Sequence, residues 1–195
     1  SIEYTALNEP FVAEALETTT AVVSGTSLIF QDTDTAFYTG SSDISFAASG
    51  NRIDAFDDTS KYFYVGQSIV ISGTSSNNGT FTVATITSTL ITTTESISDE
   101  SSTSAVFKSA TGAILGGTAG TNTFTDFLAA DKIKIQGSAS NDADYTISSI
   151  SSNGDALVVS SAPSAVESAG ERITITQISK EVASPDATSH INLNR

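Results

Sequence analysis

An all-β fold is expected: two tandem repeats of a small antiparallel β-sandwich or barrel-like module, plus an N-terminal arm with short strands. Three observations predict it. Charged residues make up 15 % of the 195-residue chain and hydrophobic ones 38 %, and Ser and Thr fill the difference. Thr suits a pleated surface because its branched Cβ packs well there, and Ser, Asn, Asp and Gly favour turns. Apolar residues recur in short runs that alternate with polar ones, the period of a half-buried strand. One such run then recurs downstream, at a constant offset of 64 residues: Gly73 to Gly137, Asn77 to Asn141, Phe81 to Tyr145.

In chain order, residues 1–20 read as an arm. Asn8 can cap one or two helical turns with acidic residues in the first turn, and Phe11 and Leu16 are the apolar side chains such a turn would dock against a neighbour. Residues 21–51 form an N-terminal β region. Val22 and Val23 pair with Leu28 to Phe30 around Gly25, and Ile44 to Phe46 and Arg52 to Ile53 are further short strands. The first copy spans 52–112. Ile69 and Ile71 alternate with polar residues, a polar turn holds Asn77, Asn78 and Gly79, and Phe81 and Val83 return. Third and fourth strands lie near residues 91 and 106. The second copy spans 113–178, with Ile133 and Ile135, a turn at Asn141, then Tyr145 and Ile147. Leu90 to Thr92 answers Leu157 to Val159, Glu100 answers Glu167, and Val106 answers Ile173. Gly116 to Gly120 reads as a flexible connector between the copies. The tail is 179–195, and both termini read as arms that reach a neighbouring subunit.

The formal charge of −14 and the scattering of eight basic residues argue against nucleic acid and against anionic membrane surfaces. A strongly negative surface keeps a chain soluble until a specific interface forms. Without Cys no disulfide holds the fold, so burial and strand pairing must. No signal peptide and no apolar run long enough for a membrane span are read in the chain.

Little points to chemistry, and no enzyme activity is expected. The one histidine, His190, sits in the tail, where nothing positions it as a base. A zinc site lacks its ligands, and the glycines at 116–120 lack the Lys-Ser/Thr of a phosphate loop. Carboxylates cluster at Asp54, Asp57 and Asp58, at Asp99 and Glu100, and at Asp142 and Asp144. They read as solvated turns. A glycosidase pair would need a sugar-stacking cleft, and no turn has EF-hand spacing, so no cofactor is expected and at most a weak Ca²⁺ site. Tyr62, Phe63 and Tyr64 precede the first copy's main strand, and Phe124 and Phe127 hold the matching place in the second. Three successive strand side chains cannot all face inward, so Tyr62 and Tyr64 are expected to face outward and mark an interface.

The phrase from Phe63, Val65 and Gly66 through Gly73 to Asn77, Asn78, Gly79, Thr80, Phe81 and Val83 resembles a β-module of tailed-bacteriophage structural proteins, F-x-V-G-D-x-I-x-V-S-G-S…N-N-G-T-F/Y-T-V. The resemblance covers about residues 52–176. The second copy departs from it at Ala130, Gln136 and Ala143. The family is structural, so no catalytic residue carries over. The resemblance implies a virion protein made in the host cytoplasm. A capsid decoration (cement) protein is the first reading: a homo-oligomer, a trimer by symmetry, that clamps the major capsid protein. A tail tube, tip or fibre component is the second. A cell-surface adhesin or filament subunit, a carbohydrate-binding module and, last, a carboxylate hydrolase follow.

Overall fold

The computed structural model describes residues 22–25, 28–39, 44–54, 56–57, 59–102, 104–116, 124–168 and 173–179. The chain is all-β. Its first strands are β1 (Val22–Gly25), β2 (Ile29–Gln31), β3 (Tyr38–Thr39), β4 (Ile44–Ala47) and β5 (Arg52–Asp54). One helical turn, α1 (Thr59–Tyr62), leads into β6 (Ser68–Ser72), β7 (Gly79–Ile86), β8 (Leu90–Thr93), β9 (Glu100–Ser102) and β10 (Val106–Ser109). The remainder are β11 (Ala113–Leu115), β12 (Lys132–Gln136), β13 (Asp144–Ile150), β14 (Ala156–Val159), β15 (Glu167–Ser168) and β16 (Ile173–Ser179). The alternation along β6 and β12 is the expected one. Ile69, Ile71, Ile133 and Ile135 are buried between more exposed neighbours.

The strands form two eight-stranded antiparallel sheets. One runs β3-β10-β6-β7-β8-β5-β4-β9 and the other β1-β16-β12-β13-β14-β11-β2-β15. The two orders match strand for strand, but the two units are not consecutive along the chain. β1 and β2, expected to pair with each other in a separate N-terminal region, pair instead with β16 and with β11 and β15. β3 and β4 join the other sheet. The first module, β3 to β10, is therefore inserted between β2 and β11 of the second, where the first has its own short β4–β5 hairpin. The glycines at 116–120 follow β11 and precede β12, two strands of one sheet, so they do not join the copies. The crossings between modules are residues 32–37 and 110–112.

Each sheet curls around its own core. Ile44 and Phe46 of β4 share one apolar cluster with Ile71 of β6 and Phe107 of β10, although β4 and β10 lie near opposite edges. Phe37, Tyr38, Phe56, Phe63 and Phe107 meet edge to face in that cluster, with centroids 5.0–5.9 Å apart. Phe30, Ile114, Phe124, Phe127, Ile135 and Ile175 lie in the second core.

Register corrects two matches made from sequence. Ile53 faces Ile91, and Ile114 faces Leu157, so Ile91 answers Leu157 rather than Val158. Phe107 faces Ile71 and Ile175 faces Ile135, so Val106 answers Thr174 rather than Ile173. A one-residue slip would have turned buried side chains outward. The turn before β6 also recurs. The Gly66 and Ala130 amides donate to Val83 and Ile147, each at 2.8 Å, with φ of +87° and +72°. Ala130 stands in a conformation that costs a residue with a Cβ about 1–2 kcal/mol, and Gly gives back part of this through its freer unfolded chain. Ala130→Gly should therefore leave the melting temperature unchanged or raise it by about 1–3 °C. A drop beyond that range in a thermal melt would show that the Ala130 methyl contributes packing.

Candidate functional site

The sequence offered two kinds of candidate, clustered carboxylates and outward tyrosines. Several of the carboxylates are occupied by main-chain donors. The Glu100 carboxylate, at the edge strand β9, accepts the Ser75 amide (2.5 Å), the Ser76 amide (2.9 Å) and Asn77 Nδ2 (2.9 Å). Asn77 also donates Nδ2 to the Ser98 carbonyl (3.1 Å), and its Oδ1 accepts the Ser98 amide (2.8 Å). In the second module Glu167 accepts the Ala139 amide (2.8 Å), the Ser140 amide (3.2 Å) and Asn141 Nδ2 (2.8 Å), and Asn141 exchanges the same two bonds with Ala165. Each clamp ties an edge strand to the turn between the third and fourth strands of the same sheet, holding the curl shut. A short edge strand held in this way is also a poor template for stray pairing.

Two of the other acidic positions also hold main chain, and a third pairs with a side chain. Asp142 accepts the Gly137 and Ser138 amides, Asp99 accepts the Ala48 amide, and Asp54 pairs with Arg52 at 2.9 Å. Asp58 lies outside the described residues. No group of three or more His, Cys, Asp or Glu side chains among the described residues is placed to hold a metal ion. No described helix is long and apolar enough to cross a membrane.

The amides that Ser75 and Ser138 donate hold the Glu100 and Asp142 carboxyls below their ordinary values of 4.5 and 3.8, respectively. A carboxyl depressed on folding contributes stability above its unfolded pKa and loses it as pH falls through the folded one. The difference in melting temperature between the natural chain and Glu100→Gln should thus be largest above about pH 5 and shrink below about pH 4. A difference that stays flat across this range would show that the clamp does not depend on charge.

The tyrosines turn inward. Tyr62 ends α1 rather than lying on a strand, and Tyr64 is 4 % exposed. Both pack on the outward face of β2, β11 and β14, against Ile29, Ala113, Leu115, Ala156 and Val158. They do mark an interface, but it lies between the two modules of one chain. Burial pushes the Tyr64 hydroxyl up to about 12 despite a hydrogen bond with Thr111. A buried polar relay crosses the same seam. The Tyr64 amide donates to Gln67 Oε1 (3.2 Å), Gln67 Nε2 to Gln31 Oε1 (2.7 Å), and Gln31 Nε2 to the Tyr62 carbonyl (2.7 Å). Gln31 and Gln67 are both fully buried. Nothing in their local sequence marks them, since isolated glutamines are usually exposed.

The crossing at residue 32 is closed by Asp32, which accepts the Asp34 and Thr35 amides and the Thr35 hydroxyl at 2.6–2.9 Å. Burial raises its pKa, and these bonds outweigh the burial and hold it below 3.8. Beside the seam is an open cleft of about 230 Å³, lined by Tyr64 to Gly66 on one side and by Ser149 to Ser152 and Val158 on the other. It is smaller than the usual small-molecule pocket and has no charged side chain. Phe11, Leu16 and His190 lie outside the described residues.

The arrangement can hold shape and present surfaces. No family model, no curated protein and no solved structure matches the chain.

Proposed function

We propose that this chain is a structural component of a tailed-phage virion, acting as a capsid decoration protein that binds across joints between shell subunits. The observation that carries this reading is the repeated clamp of Glu100 with Asn77 and Glu167 with Asn141, which commits the prominent acidic side chains to shape. The resemblance of the Phe63 to Val83 phrase to the phage β-module supports it, as does a fold held without Cys. The two modules meet through an apolar seam and a buried glutamine relay, and a body that is preorganised in this way loses less entropy on binding a lattice. The acidic surface suits a protein kept soluble before assembly.

The test is co-sedimentation of the full chain with decoration-free capsid shells, followed by heating of the complex. Saturable binding that raises the shell's rupture temperature is expected. Absence of binding would overturn the reading. Six-fold rings that stack without shells would replace it with a tail tube.

A further inference from the structure

An asparagine followed by glycine is open to attack on its side-chain carboxamide by the next main-chain nitrogen, because glycine has no Cβ to hinder the approach. The chain has two such pairs, Asn78-Gly79 and Asn153-Gly154. Both asparagines are exposed, so access to water does not tell them apart. Their hydrogen bonds do. Asn78 is locked to the chain around Thr74. Its Oδ1 accepts the Thr74 amide and the Thr74 hydroxyl (both 3.0 Å), and its Nδ2 donates to the Thr74 carbonyl (2.6 Å). Gly79 opens β7 and is registered against Ile71. Attack at Asn78 has to break three side-chain bonds and loosen the end of a strand together.

Asn153 is held more loosely, in the turn between β13 and β14. That turn is longer than its β7–β8 counterpart, which has no Asn-Gly pair. The Ser152 hydroxyl donates to Asn153 Oδ1 (2.9 Å), and Asn153 Nδ2 donates to the Asp155 carboxylate (3.2 Å), both of them side-chain partners. The Gly154 amide donates to the Ser151 carbonyl (2.9 Å). The hydroxyl on Oδ1 draws charge from Cγ and stabilises the oxyanion that forms there during attack. The same turn anchors the second core. The Gly154 carbonyl accepts the amide of Phe124 (3.0 Å), which is fully buried, as the Thr89 carbonyl accepts that of Phe56 (3.1 Å) in the first module.

We propose that Asn153-Gly154 is a self-modification site, at which Asn153 of the folded chain converts to aspartate and isoaspartate while Asn78 is protected, and that the conversion loosens the second module. The Gly154 nitrogen bonds to Asn153 Cγ and gives its proton to a solvent base. The Cγ–Nδ2 bond then breaks, and the amine takes a proton from water and leaves as ammonia. Water opens the resulting succinimide ring. Opening at Cγ leaves an aspartate on the ordinary backbone. Opening at the former Asn153 carbonyl routes the backbone through the side chain and adds a methylene between residues 153 and 154. No atom changes oxidation state, and water is the one co-reactant. The added methylene moves the Gly154 carbonyl away from the Phe124 amide, and a buried amide without its acceptor is costly. Each conversion also adds a negative charge to a chain that already carries −14.

The experiment is incubation of the full chain in mildly alkaline buffer, followed by tandem mass spectrometry of its peptides and thermal melting of the intact protein. In the folded chain Asn153 should convert about tenfold or more faster than Asn78, because the Asn78 lock has to open first. In urea, where both turns are open, the two sites should convert at similar rates. The melting temperature of the natural chain should fall by about 2–8 °C as Asn153 converts. Asn153→Ser, at an exposed turn position, should hold its melting temperature through the same incubation. An intact Asn153, equal rates at the two sites in the folded chain, or a ratio that persists in urea overturns the assignment of the site. A fall in melting temperature that Asn153→Ser shares, or no fall as Asn153 converts, overturns the link to the second module.

Discussion

Gly73→Ala should lower the stability of the first module by about 3 kcal/mol or more, a fall in melting temperature of about 6–12 °C. Two costs combine. Gly73 has a φ of +77°, where a side chain costs about 1–2 kcal/mol. In addition, a Cβ there would lie under 3.0 Å from the Ser104 carbonyl oxygen, a main-chain atom with no flexible end to move aside. The Ser104 segment is itself held, because the Ser104 amide donates to the Ser102 hydroxyl, which donates to the Gly73 carbonyl (both 3.2 Å). Gly66→Ala separates the two costs. Gly66 has a φ of +87° and open space where its Cβ would lie, so it should lose only the backbone term, about 1 kcal/mol. Equal losses in thermal melts of the two variants would mean that the loop over Gly73 yields freely, and that the clamp does not hold the sheet closed.

The elements that the clamp joins were legible, though not the clamp itself. The recurrence of Gly, Asn and Glu at matching places pointed to a turn and a strand that both modules need. The period-2 runs placed β6, β7, β12 and β13 correctly, because alternation is a local signal that survives any tertiary arrangement. What the carboxylates do was not legible. Asp99 with Glu100, and Asp142 with Asp144, read as solvated turns, since nothing in the chain shows that the Ser75 and Ser138 amides converge on Glu100 and Asp142 from distant or neighbouring turns.

The insertion of one module into the other was invisible for a related reason. β1 pairs with β16 roughly 150 residues away, and a strand's sequence records its own burial pattern, not the identity of its neighbour. With β1 and β2 only a few residues apart, a hairpin was the economical reading. The aromatic run misled differently. Side chains alternate only along a strand, but α1 carries Tyr62, and the turn at Val65 and Gly66 redirects the chain before β6. Tyr64 lies outside the core that takes Phe63, and Tyr62 sits between that core, where it meets Tyr38, and a second apolar sheet face.

The relay through that face yields the second large effect. Gln67→Leu should destabilise the chain by about 2–4 kcal/mol, because it leaves two buried groups without partners, the Tyr64 amide and Gln31 Oε1. Gln31→Leu should cost a similar amount by stranding the Tyr62 carbonyl and Gln67 Nε2. The double substitution strands only the two main-chain groups. It should therefore cost about 1–3 kcal/mol less than the sum of the single variants, measured by denaturant unfolding of all four chains. Strict additivity would mean that water reaches the seam and satisfies each group separately, and the modules would then be joined by their tethers and apolar contact alone. A positive coupling would mean that the relay registers one module on the other. A rigid seam of that kind is what a lattice-binding body requires, because a swivelling pair would lose part of its binding energy to ordering at each site.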